Sequence, residues 1–221
     1  MSTTIDVYPT TDVLPPVVET ASRAEALFNE LLVRHGVPPT VRIEPYYYPS
    51  SETEAIQRVE SGACWSPGLE LRFHYRLHDQ DRGDSFPFCI AFEEADRVHE
   101  DDLIGKGDHP DLGYDQRFLG QWSAIADLAE EMIAPEILAR AARSHHYWYE
   151  HRSAGTGAVA STGYGLVAAA LAEQTNGLIA SWDSAFDERN GQTAKEFLQW
   201  WGDKQFAYYS LGAFGVLPEA K

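Results

Sequence analysis

The sequence predicts an α+β fold, a single domain with a mainly antiparallel sheet packed by several helices. Three observations carry the prediction. Residues 69–78, "LELRFHYRLH", alternate strictly between apolar and polar side chains, the period of a half-buried strand. Residues 22–36, "SRAEALFNELLVRHG", place Ala24, Leu27, Phe28, Leu31 and Leu32 on one helical face. Strand and helix signals then mix along the chain without regular βαβ alternation, which favours an antiparallel sheet over a parallel one.

In chain order, residues 1–21 are rich in Thr, Pro and β-branched residues and read as an extended N-terminal arm, followed by a single α+β domain over 22–221. The first helix is expected to start at Ser22, which forms a capping box with Glu25, and to stop at Gly36. "VRIEP", residues 41–45, alternates Val41, Ile43 and Pro45, and its proline assigns it to a sheet edge because proline cannot donate to a ladder. "SSETEAIQRVESG", residues 50–62, reads as a short helix. In 69–78, Leu69, Leu71, Phe73, Tyr75 and Leu77 are assigned to the core and Glu70, Arg72, His74, Arg76 and His78 to the wet face. "DQDRGDS", residues 79–85, has turn composition, and "FPFCIAFEE" returns as a strand, so 68–94 is expected to be an antiparallel hairpin.

A helical run over 118–143 is divided by Pro135, since an internal proline removes a hydrogen bond and clashes with the preceding turn. "HHYWYEHR", residues 145–152, reads as a strand, and "SAGTGAVASTGYG", residues 153–165, as a Gly-rich loop leading into a helix over 166–177. A short strand and turn over 177–187 precede a helix capped by Thr193.

A 221-residue chain buries roughly 70% of its unfolded surface, and six Trp, eleven Tyr and ten Phe supply a packed interior. No apolar run approaches the roughly 18–20 residues of a membrane span, and the start "MSTTIDVYPTTDVLPP" lacks a basic segment followed by an apolar one, so a cytoplasmic protein is expected. Cys64 and Cys89 have apolar neighbours and read as buried free thiols.

Asp and Glu number 34 against 17 Lys and Arg, a net charge of −17. Nucleic-acid and anionic-membrane partners are disfavoured because both are met by basic patches. A basic partner is favoured.

The densest acidic stretch, residues 92–115, holds nine carboxylates against Arg97 and Lys106. Glu93, Glu94, Asp96, Glu100, Asp101, Asp102, Asp108, Asp111 and Asp115, with Tyr114 as an aromatic anchor, form the expected partner-binding surface. Within it, His99, Asp101, Asp102, His109 and Asp111 are metal-ligand types, but the spacing fits neither a zinc set nor a calcium loop, so no metal or cofactor is expected. The alternative is a metal-dependent or other small-molecule enzyme built on the His/Asp-rich loop 99–111. No nucleophile elbow, HExxH helix or phosphate-binding loop is present, and no catalytic residue is assigned.

"LVAAALAEQTNGLIASWDSAFDERNGQTAKEFLQWW", residues 166–201, resembles a pattern of bacterial toxin-immunity proteins: a helix ending in Thr/Asn-Gly, a short apolar strand, an acidic turn and a capped Thr-Ala-x-Glu-Phe-Leu helix. The resemblance covers about one sixth of the chain and transfers no site residues. It implies an acidic cytoplasmic inhibitor that occludes the active site of a cognate, basic toxin. The charge suits that task, since electrostatic steering raises association rates by up to about a thousandfold.

Overall fold

The computed structural model of the chain describes residues 3–11, 13–48, 55–66, 69–91, 146–152, 155–181, 186, 189 and 191–215. Among the described residues, nine strands hydrogen-bond into one antiparallel sheet. In chain order they are β1 (Thr3–Tyr8), β2 (Val41–Tyr47), β3 (Gln57–Arg58), β4 (Leu69–Leu77), β5 (Gln80–Ser85), β6 (Phe88–Ala91), β7 (His146–Arg152), β8 (Leu178–Ala180) and β9 (Gln192–Thr193). Their spatial order is β3-β2-β4-β6-β7-β1-β8-β9, with β5 also paired to β4. Helices α1 (Val17–Arg34), α2 (Ala158–Thr175), α3 (Ala194–Leu198) and α4 (Trp201–Tyr209) complete an α+β domain.

Alternation sets the sheet's inner face. Leu71, Phe73, Tyr75 and Leu77 of β4 are at most 1% exposed, and Val41 and Ile43 of β2 join them. Ile5, Val7, Trp148 and Cys89 continue this core through β1, β7 and β6. Helix α2 lies against it. Its sequence is apolar on every side, and a helix of that kind must be surrounded. The sheet covers one flank and α1, α3 and α4 the others. Two glycines let it approach: a Cβ on Gly163 would lie 2.1 Å from the Tyr75 ring, and one on Gly165 would lie 2.2 Å from the Trp201 indole. Helix α1 runs antiparallel to α2, since Arg23 pairs with Glu173 while Leu31 reaches the turn of Leu166.

Several sequence expectations are corrected here. The stretch expected as an extended arm, residues 1–21, holds strand β1 and the start of α1. Strand β1 pairs with β7 on one side and β8 on the other, and the Ile5 amide donates to the Tyr164 hydroxyl at 2.8 Å, which itself donates to the Glu150 carbonyl at 2.8 Å. Helix α1 starts five residues before Ser22. Pro16 stands at its N-cap and Val17 N–H donates to Ala63 O at 2.8 Å, anchoring the start without a side-chain cap. Ser22 instead donates to the Val18 carbonyl inside the helix at 2.8 Å. The stop at Gly36 stands as expected: Gly36 has φ +74° and Val37 N–H donates back to Leu32 O at 2.9 Å.

The described part of 50–62 contains β3 and no helix, and "QDRGDS" is itself strand β5. The turn of that hairpin lies earlier, at His78 and Asp79, whose φ values of 53° and 58° give the twist of a two-residue hairpin. Helix α2 begins at Ala158, so most of the expected Gly-rich loop is helical. Cys64 is exposed and Cys89 buried, both free, against the expectation of two buried thiols. The expected strand over 145–152 is β7, and Thr193 caps α3 in a full capping box with Glu196. The Pro135 helices lie outside the described residues.

Strand β2 carries an unusual edge. It pairs with β3 only at Tyr46 and Tyr47, leaving residues 41–45 without a strand on that side among the described residues. Side chains of α1 take the strand's place. Asn29 donates to Val41 O at 3.1 Å and accepts from Val41 N–H at 3.0 Å, and Glu25 accepts from Ile43 N–H at 3.0 Å. Pro45 has no N–H to offer. The edge is thereby closed to further pairing.

Candidate functional site: an aromatic and arginine sheet face

The expected surface residues Glu93, Glu94, Asp96, Glu100, Asp101, Asp102, Asp108, Asp111, Tyr114 and Asp115, and the loop 99–111 with its two histidines, lie outside the described residues. Among the described residues no group of three or more His, Cys, Asp or Glu side chains is placed to hold a metal, and no helix is long and apolar enough to cross a membrane.

What the strands do assemble is the outer face of β3-β2-β4-β5, opposite α1 and α2. Register orders it in rows. Arg42 lies across from Arg76, and Arg76 from Asp81; Glu44 lies across from His74, and His74 from Asp84. Arg58, Tyr46 and Arg72 form the next row, which reaches Phe86 where the β4–β5 register is continued by one residue. The last row is Ile56, Tyr48 and Glu70, with Tyr48 N–H donating to Glu70 O at 3.2 Å.

A β-bulge makes this possible. Asp81 and Asp84 are three residues apart and would ordinarily point to opposite faces of a strand. The register shifts between His74 and Arg76, so that Arg82 and Gly83 together oppose Tyr75, and Gly83 takes φ +111°. Both carboxylates therefore face outward while Ser85 turns inward, where its hydroxyl meets the Tyr75 hydroxyl at 2.9 Å. Burial, aided by the nearby Glu150 charge, holds the Tyr75 phenol well above its ordinary pKa, so it stays protonated.

Charges on the face are matched locally. Arg72 pairs with Asp84; His74 Nε2 lies 2.9 Å from Asp81; Arg76 lies 3.5 Å from both Glu44 and Asp81; Arg58 lies 3.3 Å from Glu44; and Arg42 reaches Glu25 of α1 at 3.8 Å. The hydrogen bond from His74, with the cationic field of Arg76 and Arg72, pulls the Asp81 carboxyl below its usual range. Tyr46 donates to Glu44 at 3.1 Å, and partial burial together with that carboxylate raises the phenol pKa.

At one end the face turns apolar. Tyr48, Ile56 and Phe86 are 44%, 45% and 43% exposed, three of the seven large apolar side chains left open among the described residues. The rings of Tyr48 and Phe86 meet edge to face with centroids 5.1 Å apart, and the Arg72 guanidinium lies over Phe86 at 5.8 Å. Aromatic side chains and arginine clustered on an open surface are the composition of protein-binding hot spots. The polar side of β4 is visible in the sequence. The contributions of Ile56, Arg58 and Phe86 are not, because they depend on a two-residue strand and on a bulge.

No family model matches the chain, and no significant match to a curated protein or a solved structure was found.

Proposed function

We propose that this chain is a binding protein that neutralises a basic protein toxin, with the outer face of β2–β5 as its contact surface. The observation that carries the reading is the exposed Tyr48, Ile56 and Phe86 cluster on an open sheet face, in a chain whose carboxylates outnumber its basic residues two to one. The two features divide the work. Net charge of −17 accelerates encounter with a cationic partner, with residues 92–115 as the densest source of that field, while desolvation of the aromatic cluster supplies residence time. The resemblance of residues 166–201 to toxin-immunity proteins supports the choice of a toxin as partner and the bacterial cytoplasm as the place of action.

The test begins with the basic product of a gene neighbouring this one, expressed in a bacterial host with and without this chain. Growth arrest by that product alone, relieved on co-expression, is the expected result. Association measured by stopped flow should slow about tenfold when Glu100, Asp101 and Asp102 are changed to Lys at low salt, with the difference collapsing above roughly 0.5 M salt. Changing Tyr48 and Phe86 to Ser should instead accelerate dissociation. Arrest that persists on co-expression, with no complex between the two proteins, rejects the reading.

A further inference from the structure

We infer that Glu70 and Tyr48 form a slot for an arginine side chain of the partner. This rests on the reading of the sheet face as a contact surface for a basic protein. The face already contains one filled example of the same chemistry. Arg72 lies over the Phe86 ring and is held there by Asp84, so an aromatic face and a carboxylate share one guanidinium. One row along, Tyr48 and Glu70 repeat the aromatic and the carboxylate. Here no cation of the described residues pairs with the carboxylate.

Charge accounting on the face leads to the same residue. Each of its four arginines, at 42, 58, 72 and 76, has a carboxylate within 4 Å, and these are Glu25, Glu44, Asp81 and Asp84. Glu70 is exposed and makes no ion pair among the described residues. Its backbone is fixed in β4 between Leu69 and Leu71, and its carbonyl receives the Tyr48 amide, so ring and carboxylate are presented together by paired backbone. Ile56 supplies an apolar wall beyond Tyr48 and is 45% exposed.

Guanidinium fits such a place better than ammonium. It is planar, weakly hydrated, stacks on an aromatic ring and still presents two N–H groups to a carboxylate, whereas an ammonium keeps its hydration and binds as a point charge.

The experiment is a titration of the isotopically labelled full chain with hexaarginine and, separately, hexalysine, followed by backbone and side-chain NMR. Hexaarginine should shift resonances of Tyr46–Tyr48, Glu70–Arg72 and Phe86, and hexalysine should bind there at least about threefold more weakly. Glu70→Gln should weaken the hexaarginine shifts on this face by a similar factor while shifts at other acidic surfaces persist. Because Glu70 is exposed, that variant keeps its fold, which an unchanged melting curve verifies. Shifts on the face that are equal for the two peptides, or unaffected by Glu70→Gln, overturn the slot. Shifts confined to other acidic surfaces, with this face silent, overturn the slot and leave basic-protein binding standing. A chain that responds to neither peptide anywhere overturns both.

Discussion

Replacing Gly163 with Ala sets two calculable effects against each other. Within a helix, Ala is favoured over Gly by about 1 kcal/mol, so propensity alone predicts a more stable protein. The packing says the opposite. The added Cβ would sit 2.1, 2.4 and 2.9 Å from three carbons of the Tyr75 ring, where ordinary carbon contacts are about 3.5–4.0 Å, so ring or helix must give by roughly 1 Å or more. Neither gives easily. Tyr75 is fully buried and its hydroxyl is tied to Ser85, while α2 is enclosed on nearly every side. Overpacking of this kind costs about 1–3 kcal/mol, and the closeness of the clash places it at or above the upper end. The net expectation is a loss of about 2 kcal/mol. In urea, with a slope of about 2–3 kcal/mol per molar, the midpoint should fall by roughly 0.7–1 M with the slope unchanged. Adding Tyr75→Leu should make the two substitutions non-additive, because the smaller side chain creates room for the new methyl. A Gly163→Ala protein that unfolds at higher urea than the parent would show that α2 does not press on the β4 ring as described.

Other expectations follow from the same geometry. Leu71→Ala should cost on the order of 2–5 kcal/mol, read by urea or thermal unfolding, and a cost below about 0.5 kcal/mol would mean the faces of β4 are reversed. Hydrogen bonds from the Thr193 hydroxyl and amide hold the Glu196 carboxyl below its ordinary pKa, so this contribution is present above the unfolded glutamate's value and is lost as pH falls through the folded one. Glu196→Gln should therefore be less stable than the parent at pH 7, the two melting curves converging in acid; a gap that widens in acid would contradict the assignment. Burial pushes the Cys89 thiol up to about 12 while Cys64 is exposed, so a thiol reagent at pH 8 should label one cysteine in the native protein and the second only in urea. Equal labelling rates in the native state would refute this.

The sequence was most legible where one residue pattern had one physical cause. Alternation in β4 placed Leu71, Phe73 and Tyr75 inward, and Thr193 as a cap located the start of α3. It was least legible where a residue served a purpose other than its usual one. Gly163 and Gly165 have the composition of a loop but act as contact points for two aromatic rings inside a helix. Ser22 and Glu25 have the spacing of a capping box, yet the start of α1 is fixed by Pro16 and by the distant Ala63 carbonyl, which frees Glu25 to bond β2. "QDRGDS" has turn composition because one glycine is needed for a bulge. Strand β1 was hidden because both of its faces are buried, Ile5 and Val7 on one and Thr4 and Asp6 on the other, so its alternation does not report exposure. The aromatic end of the sheet face escaped for a related reason: Ile56 and Phe86 acquire meaning only through the strands that lie beside them.

The helix side chains that finish the edge of β2 bear on how such a protein diversifies. With Asn29 and Glu25 occupying the backbone groups of residues 41 and 43, an incoming chain gains no main-chain ladder there and must be recognised through side chains on the open face. Those side chains point away from the core, and exposed substitutions usually change stability by less than about 0.5 kcal/mol each. On the proposed reading, recognition and folding are thus written in separate sets of residues on the same strands. If the proposed contact surface is right, descendants of one ancestor can exchange the letters at positions 46, 48, 56, 70 and 86 to follow a changing partner, while 41, 43, 71, 73 and 75 keep the architecture constant.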